Sequence, residues 1–186
     1  MPLQSASHPT PATGFIGKYR VVQFIGAGGM AEVWLCRRSS IGGFEKPVVV
    51  KRILPTFAGD PEFVRMFLDE ARVAATLNHP NIISVFDIDT DDDVPFIAME
   101  YVAGPSLHTL LVRARKQGGA GLGLAATVRV ICDIANGLHY AHSAADAEGE
   151  PLGLVHRDVS PHNILVSTGG MAKLLDFGVA KSRGRL

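Results

Sequence analysis

From residue 19 onward, short apolar runs alternate with glycines and charged residues. The runs at 19–25, 32–38 and 47–54 are rich in Val, Ile, Phe and Trp and have the length of strands, with glycines separating the first pair. Asp60 followed by Pro61 predicts a helix start, Asp as N-cap and Pro at the first helical position. This helix should run to about residue 77, where Asn78, His79 and Pro80 stop it. Along it Glu62, Arg65, Asp69, Arg72 and Thr76 form a polar stripe, and Met66, Val73 and Leu77 form the expected core-facing side. Strands are predicted at 82–89 and 94–101, joined by the acidic turn Asp91, Asp92, Asp93.

After Gly104 and Pro105 the pattern changes to helix formers, with helices predicted over 106–117 and 125–143 around a glycine-rich loop at 118–123. In the second helix Leu124, Val128, Ile131, Ala135 and Leu138 recur at helical spacing opposite Arg129, Asp133 and Asn136, so the first set is expected to face a core. A polar turn at 146–153 and two short strands, 164–166 and 172–175 around a turn at 167–170, complete the chain. Residues 1–17 hold Pro2, Pro9 and Pro11 among Ser, Ala and Thr, without the basic and apolar segments of a signal peptide, and are read as a disordered leader.

With 186 residues the chain can bury one substantial core, or form a small lobe with part of a larger one. Lys+Arg and Asp+Glu are equal at 18 each, which removes any global charge argument for nucleic acid or an anionic surface. Cys36 and Cys132 lie in different predicted elements and fit reduced cytosolic thiols better than a disulfide. No apolar run approaches the roughly 20 residues that cross a bilayer, because Glu100 and Asp133 interrupt the best candidates. A cytoplasmic chain with no membrane contact of its own is expected, although a longer parent could be anchored.

The run Ile25-Gly26-Ala27-Gly28-Gly29-Met30-Ala31-Glu32-Val33 has glycines spaced so that backbone amides can approach phosphate oxygens. The same letters satisfy a dinucleotide-binding fingerprint, with Glu45 near the spacing of its ribose acid. That reading needs a helix after the glycines, whereas Val33, Trp34, Leu35 and Cys36 are strand formers. Further on, Lys51 ends the apolar run Val48-Val49-Val50, and its ammonium needs an anionic partner if it is buried there. Glu70 falls on the apolar side of the first long helix and is the natural candidate. An edge-strand Lys51 and a solvated Glu70 are the alternatives. His139, His142, His156 and His162 cluster in sequence, but no Cys or carboxylate pattern completes a metal site around them.

The most specific signal is Leu154-Val155-His156-Arg157-Asp158-Val159-Ser160-Pro161-His162-Asn163-Ile164-Leu165-Val166, followed by Leu174-Leu175-Asp176-Phe177-Gly178. H-R-D-x-x-x-x-N and D-F-G, in order after the glycine loop, Lys51 and Glu70, resemble the protein kinase family. Leu77-Asn78-His79-Pro80-Asn81-Ile82 and Met99-Glu100-Tyr101-Val102-Ala103-Gly104 look like serine/threonine kinases of bacterial type. The resemblance covers about residues 19–181.

It implies an α+β, two-lobed fold: an ATP-binding lobe at 18–102 with an antiparallel sheet and one helix, and a mostly helical, incomplete lobe at 103–186. It implies transfer of a phosphoryl group from ATP, with magnesium, to Ser or Thr hydroxyls of protein substrates, and no nucleic-acid partner. Gly26, Gly28 and Gly29 would cover the phosphates, and Lys51, paired to Glu70, would hold the α- and β-phosphates. Asn163 and Asp176 would bind magnesium and Asp158 would receive the hydroxyl proton. Adenine would lie against Ile25, Val33, Val49 and Leu165, with Met99 as gatekeeper and the backbone of Glu100 and Val102 as hinge.

Three positions depart from the family pattern: Ala31 for the third glycine, Val49 where alanine commonly faces adenine, and Ser160 for the lysine two residues after the catalytic Asp. By the resemblance, the chain is also expected to stop before the activation loop and the remaining helices of the second lobe. Ser160 and this ending support an alternative, a catalytically impaired nucleotide-binding pseudokinase-like or regulatory fragment. The extra length at 144–153 has no assigned role.

Overall fold

The computed structural model describes residues 14–119, 121–146 and 148–177. The chain forms two compact units: residues up to 65 together with 86–101, and residues 66–85 together with 102 onward. By compactness 66–85 groups with the second unit, whereas the family resemblance implies a first lobe that includes it.

The first unit is built on an antiparallel sheet of β1 (Phe15–Ile16), β2 (Tyr19–Gly28), β3 (Ala31–Ser39), β4 (Glu45–Ile53), β5 (Val85–Asp91) and β6 (Val94–Glu100), in the order β1-β2-β3-β4-β6-β5. β1 corrects the end of the expected leader: Phe15 and Ile16 pair with Arg20 and Tyr19, and Ile16 is fully buried. The rest of that leader, 1–13, lies outside the described residues. Alternation along the strands puts Trp34, Cys36, Val48, Val50, Phe96 and Ala98 on one face, where they form a core with Ile16 and Tyr19. Phe24 meets Trp34 edge-on with centroids 4.9 Å apart, and Tyr19 meets Phe96 at 5.9 Å. The acidic turn is a tight one, with Asp92 and Asp93 in left-handed backbone at φ 50° and 63°. Asp91 accepts from the Gly17 amide at 2.9 Å and lies 3.5 Å from the Arg52 guanidinium.

After the short α1 (Pro55–Ala58), α2 (Pro61–Thr76) starts as its sequence demands, the Asp60 carboxylate accepting from the Glu62 amide at 2.9 Å. Its most buried side chains are Phe67, Ala71 and Ala74, one position round from the expected Met66 and Val73, which are half-buried. Leu77, just past its end, is buried as expected. Strand β5 begins at Val85 rather than 82, because Ile82 and Ile83 are taken by Leu174 through a parallel bridge and a 3.0 Å amide-to-carbonyl bond.

The second unit contains α3 (Leu107–Lys116), α4 (Leu124–His142) and the hairpin β7 (Ile164–Val166)/β8 (Ala172–Leu174). Ser106 caps α3 by accepting from the Thr109 amide at 3.2 Å, and Arg113, Arg115 and Lys116 complement the helix dipole at the other end. The face of α4 differs from expectation. Val130, Asp133, Ile134, Gly137 and Ala141 are buried, whereas Leu124, Val128 and Ile131 are 81 %, 49 % and 61 % exposed. Two contacts decide this. The Asp133 carboxylate accepts from the Ala172 amide at 2.9 Å, which compensates its burial, and a Cβ on Gly137 would sit 3.1 Å from the Asn81 carbonyl. Asn81 in turn donates to the Ala172 carbonyl at 2.9 Å, so both polar groups of one β8 residue are held.

Candidate functional site

In the first unit the candidate residues are gathered by strand register. Val33, Lys51 and Ile97 are cross-strand partners, as are Leu35, Val49 and Met99. Directly opposed residues share a face, so Val33, Val49, Lys51 and Met99 stand together on the face opposite the aromatic core. Glu100 closes β6, and Ile25, 53 % exposed, sits at a register shift between Phe24 and Gly26.

Glycines 26, 28 and 29 lie at the β2–β3 turn. Gly29 has φ +57° and is needed for the turn. Gly26 and Gly28 do not adopt left-handed backbone, and a Cβ on either would meet no atom within 4 Å. The fold itself therefore does not require them to be glycine, and their open flank is available to an incoming group.

The second unit gathers the H-R-D segment around His156, which is 1 % exposed. Its Nδ1 accepts from the Asp158 amide at 3.2 Å, which leaves Nε2 as the protonated nitrogen, donating to the Leu175 carbonyl at 2.7 Å. Burial pushes this imidazole below its ordinary value, consistent with a neutral ring. Its ring also meets Phe177, itself buried, at 4.8 Å. Asn163 Nδ2 donates to the Asp158 carbonyl at 3.0 Å and to the Asp158 carboxylate at 3.1 Å.

The hairpin explains why Asn163 and Asp176 come together. Ile164 pairs with Leu174, so Asn163 and Leu175 are next in register, and the Leu175 amide donates to the Asn163 carbonyl at 2.9 Å. Asp176 follows immediately, in left-handed backbone at φ 45°, and Arg157 beside Asp158 has φ 63°. Such non-glycine conformations cost about 1–3 kcal/mol each and concentrate at functional sites. Neither has a sequence signature, and the role of His156 as a hub was not legible beyond its place in the motif.

Leu165 is half-buried on β7 and bridged to Ser106, Val102 is 7 % exposed, and Glu70 is half-buried on α2. Lys51, Met99 and Glu100 belong to the first unit, and Glu70, Val102, Asp158, Asn163, Leu165 and Asp176 to the second. Gly178 of the D-F-G run lies outside the described residues. His162, in the 3-10 turn Pro161–Asn163, stacks on His108 of α3 with centroids 3.9 Å apart, and His139 lines an open groove of about 680 Å³ with His79, Asn136 and Tyr140.

A curled antiparallel sheet bearing a glycine turn and a lysine on the face away from its core, with a separate helical unit presenting an H-R-D loop beside a D-F hairpin, defines a phosphotransferase-type fold. The chain belongs to the protein kinase domain family, whose model matches residues 19–185. It is 43 % identical over 171 residues to the tyrosine-protein kinase MasK of Myxococcus xanthus, covering 91 % of this chain and 26 % of that protein. It is 34 % identical to the serine/threonine-protein kinase PrkC of Bacillus subtilis, covering 88 % and 23 %. A crystal structure of the Mycobacterium tuberculosis PknI kinase domain superimposes with a TM-score of 0.69 at 33 % identity, covering 92 % of this chain and 62 % of that one. The chain thus spans about a quarter of the length of these curated relatives.

Proposed function

We propose that this chain transfers the γ-phosphoryl group of ATP, with magnesium, to serine or threonine hydroxyls of proteins. The observation that carries the reading is the Asn163–Asp158 pair of hydrogen bonds, set by the same hairpin that brings Asp176 alongside. Phosphoryl transfer asks a protein chiefly to position groups and neutralise charge, and this network is built for positioning. Asp158 takes the acceptor hydroxyl's proton while Asn163 orients its carboxylate. Lys51 holds the α- and β-phosphates, which Gly26, Gly28 and Gly29 cover, and Glu70 is the counter-charge that the family resemblance assigns to that ammonium. The apolar faces of Ile25, Val33, Val49, Met99 and Leu165 receive the base, and the Glu100 and Val102 backbone supplies its hydrogen bonds.

Asp176 and the Asn163 side-chain oxygen are hard donors that suit magnesium, and two protein ligands fit an ion that keeps water and phosphate oxygens around it. Among the described residues no group of three or more His, Cys, Asp or Glu could hold a metal ion. When bound, the ion neutralises charge on the β- and γ-oxygens. A cytoplasmic location fits ATP as donor.

The names of relatives pull the acceptor in two directions, serine/threonine in PrkC and tyrosine in MasK. Radiolabelled transfer to protein acceptors, followed by phosphoamino-acid separation, decides it. Label in phosphoserine or phosphothreonine that disappears in Asp158→Ala supports the proposal, and label confined to phosphotyrosine overturns its acceptor class. Ser160 favours a second reading, a nucleotide binder with weak transfer. Magnesium-dependent ATP binding without label in any acceptor would select that reading.

A further inference from the structure

We infer that the β3–β4 loop, Ser39 to Glu45, is a docking tip for an anionic lipid surface. At its apex Ile41 is fully exposed and Phe44 is 68 % exposed. Between them Gly42 and Gly43 adopt φ +90° and +77°, the left-handed backbone that lets so tight a tip form. The tip closes on itself: the Ser40 amide donates to the Phe44 carbonyl at 2.9 Å, the Ser40 hydroxyl donates to the same carbonyl at 3.2 Å, and the Gly43 amide donates to the Ser40 carbonyl at 3.2 Å. Several of its polar groups therefore keep partners when water is removed, which an element entering an apolar phase requires.

The strand ends beneath the tip carry Arg20, Arg37, Arg38 and Lys46, all exposed, against one carboxylate, Glu45, in a chain whose net charge is zero. Cross-strand register opposes Arg20 to Arg37 and Arg38 to Lys46, so like charges face each other on neighbouring strands, an arrangement that is destabilising in the isolated fold. Glu45 accepts from both Arg20 and Arg37, at 2.8 and 3.2 Å, so one carboxylate serves two guanidiniums, and Asp87 is engaged by Lys18 at 2.6 Å; Arg38 and Lys46 add to that surplus of positive charge beside the tip. The Lys46 ammonium lies over the exposed Phe86 ring at 5.1 Å.

An apolar apex inside a basic collar matches the layering of an anionic bilayer, hydrocarbon beneath charged headgroups. A nucleic acid would satisfy the collar and leave Ile41 and Phe44 in water, whereas a bilayer takes up both the charge and the apolar apex. The tip stands at the opposite end of β3 from the glycine turn, roughly 30 Å away at strand rise, so docking leaves the nucleotide turn open. Membrane contact here departs from the sequence expectation of none, which rested on the search for spanning helices and on net charge.

The test is co-sedimentation of the chain with vesicles of phosphatidylcholine alone and of phosphatidylcholine with phosphatidylserine. Binding is expected only to the anionic vesicles, weakened at least about tenfold by Ile41→Ser with Phe44→Ser, and about fivefold by each of Arg38→Gln and Lys46→Gln. The side chains changed are exposed, and the fluorescence of Trp34, buried in the first unit's core, checks that each variant remains folded. Equal binding to both vesicle types, unchanged binding by the apolar variant, or binding to a single-stranded oligonucleotide in place of vesicles would each overturn the inference.

Discussion

Asn163 is tied twice to Asp158, its Nδ2 donating to the backbone carbonyl at 3.0 Å and to the carboxylate at 3.1 Å, so the proposed proton acceptor and a proposed magnesium ligand move as one. Removing the amide in Asn163→Ala takes away a hydrogen bond to a charged group, worth about 1.5–3 kcal/mol, or roughly one to two decades in rate. Asn163→Asp places a second carboxylate against Asp158 and is expected to do worse. Steady-state rates of the two variants check this.

Ser160 stands where the resemblance expects a lysine. If transfer is slow for want of that cation, Ser160→Lys supplies a charged hydrogen bond and raises the rate by about one to two decades. An unchanged rate would show that another group already fills the role.

Gly28→Ala separates folding from nucleotide handling. With open space around its Cβ and no left-handed backbone to strain, the variant is expected to keep its stability within about 0.5 kcal/mol. ATP affinity measured by calorimetry should nevertheless fall. Gly104→Ala is the contrast: its Cβ would lie 1.9 Å from the Val166 carbonyl oxygen, a clash that requires backbone movement and should cost about 3 kcal/mol in denaturant unfolding.

His156 gives stability a pH dependence of definite sign. Burial lowers its folded-state pKa below the ordinary 6.5, so the unfolded chain binds the extra proton first. Its contribution is complete above about pH 6.5 and is lost as pH falls from there toward the folded-state value. Urea midpoints measured on both sides of that pH should show the decline, and His156→Phe should remove this component of it.

The two thiols should differ in reactivity. Cys36 is fully buried in the first unit and burial pushes its thiol up to about 12, whereas Cys132 is exposed on α4. Iodoacetamide at mildly alkaline pH is expected to modify Cys132 in the folded chain and both residues in denaturant, as mass spectrometry would read.

Most strands with their β-branched runs, the Asp60–Pro61 helix start, the glycine turn and the order of the H-R-D and D-F motifs were legible along the chain, because propensity, capping and turn chemistry act within a few residues. Tertiary structure alone decided which side of α4 is inside. That helix carries two apolar stripes, and the one containing Ile134, Gly137 and Ala141 is buried because Asp133 finds the Ala172 amide and Gly137 admits the Asn81 backbone, partners 39 and 56 residues away. The same holds for His156, whose motif letters are local but whose acceptor, the Leu175 carbonyl, arrives only when β7 and β8 pair. A chain's local preferences fix which elements form, and burial with hydrogen-bond satisfaction between distant segments fixes how they are turned.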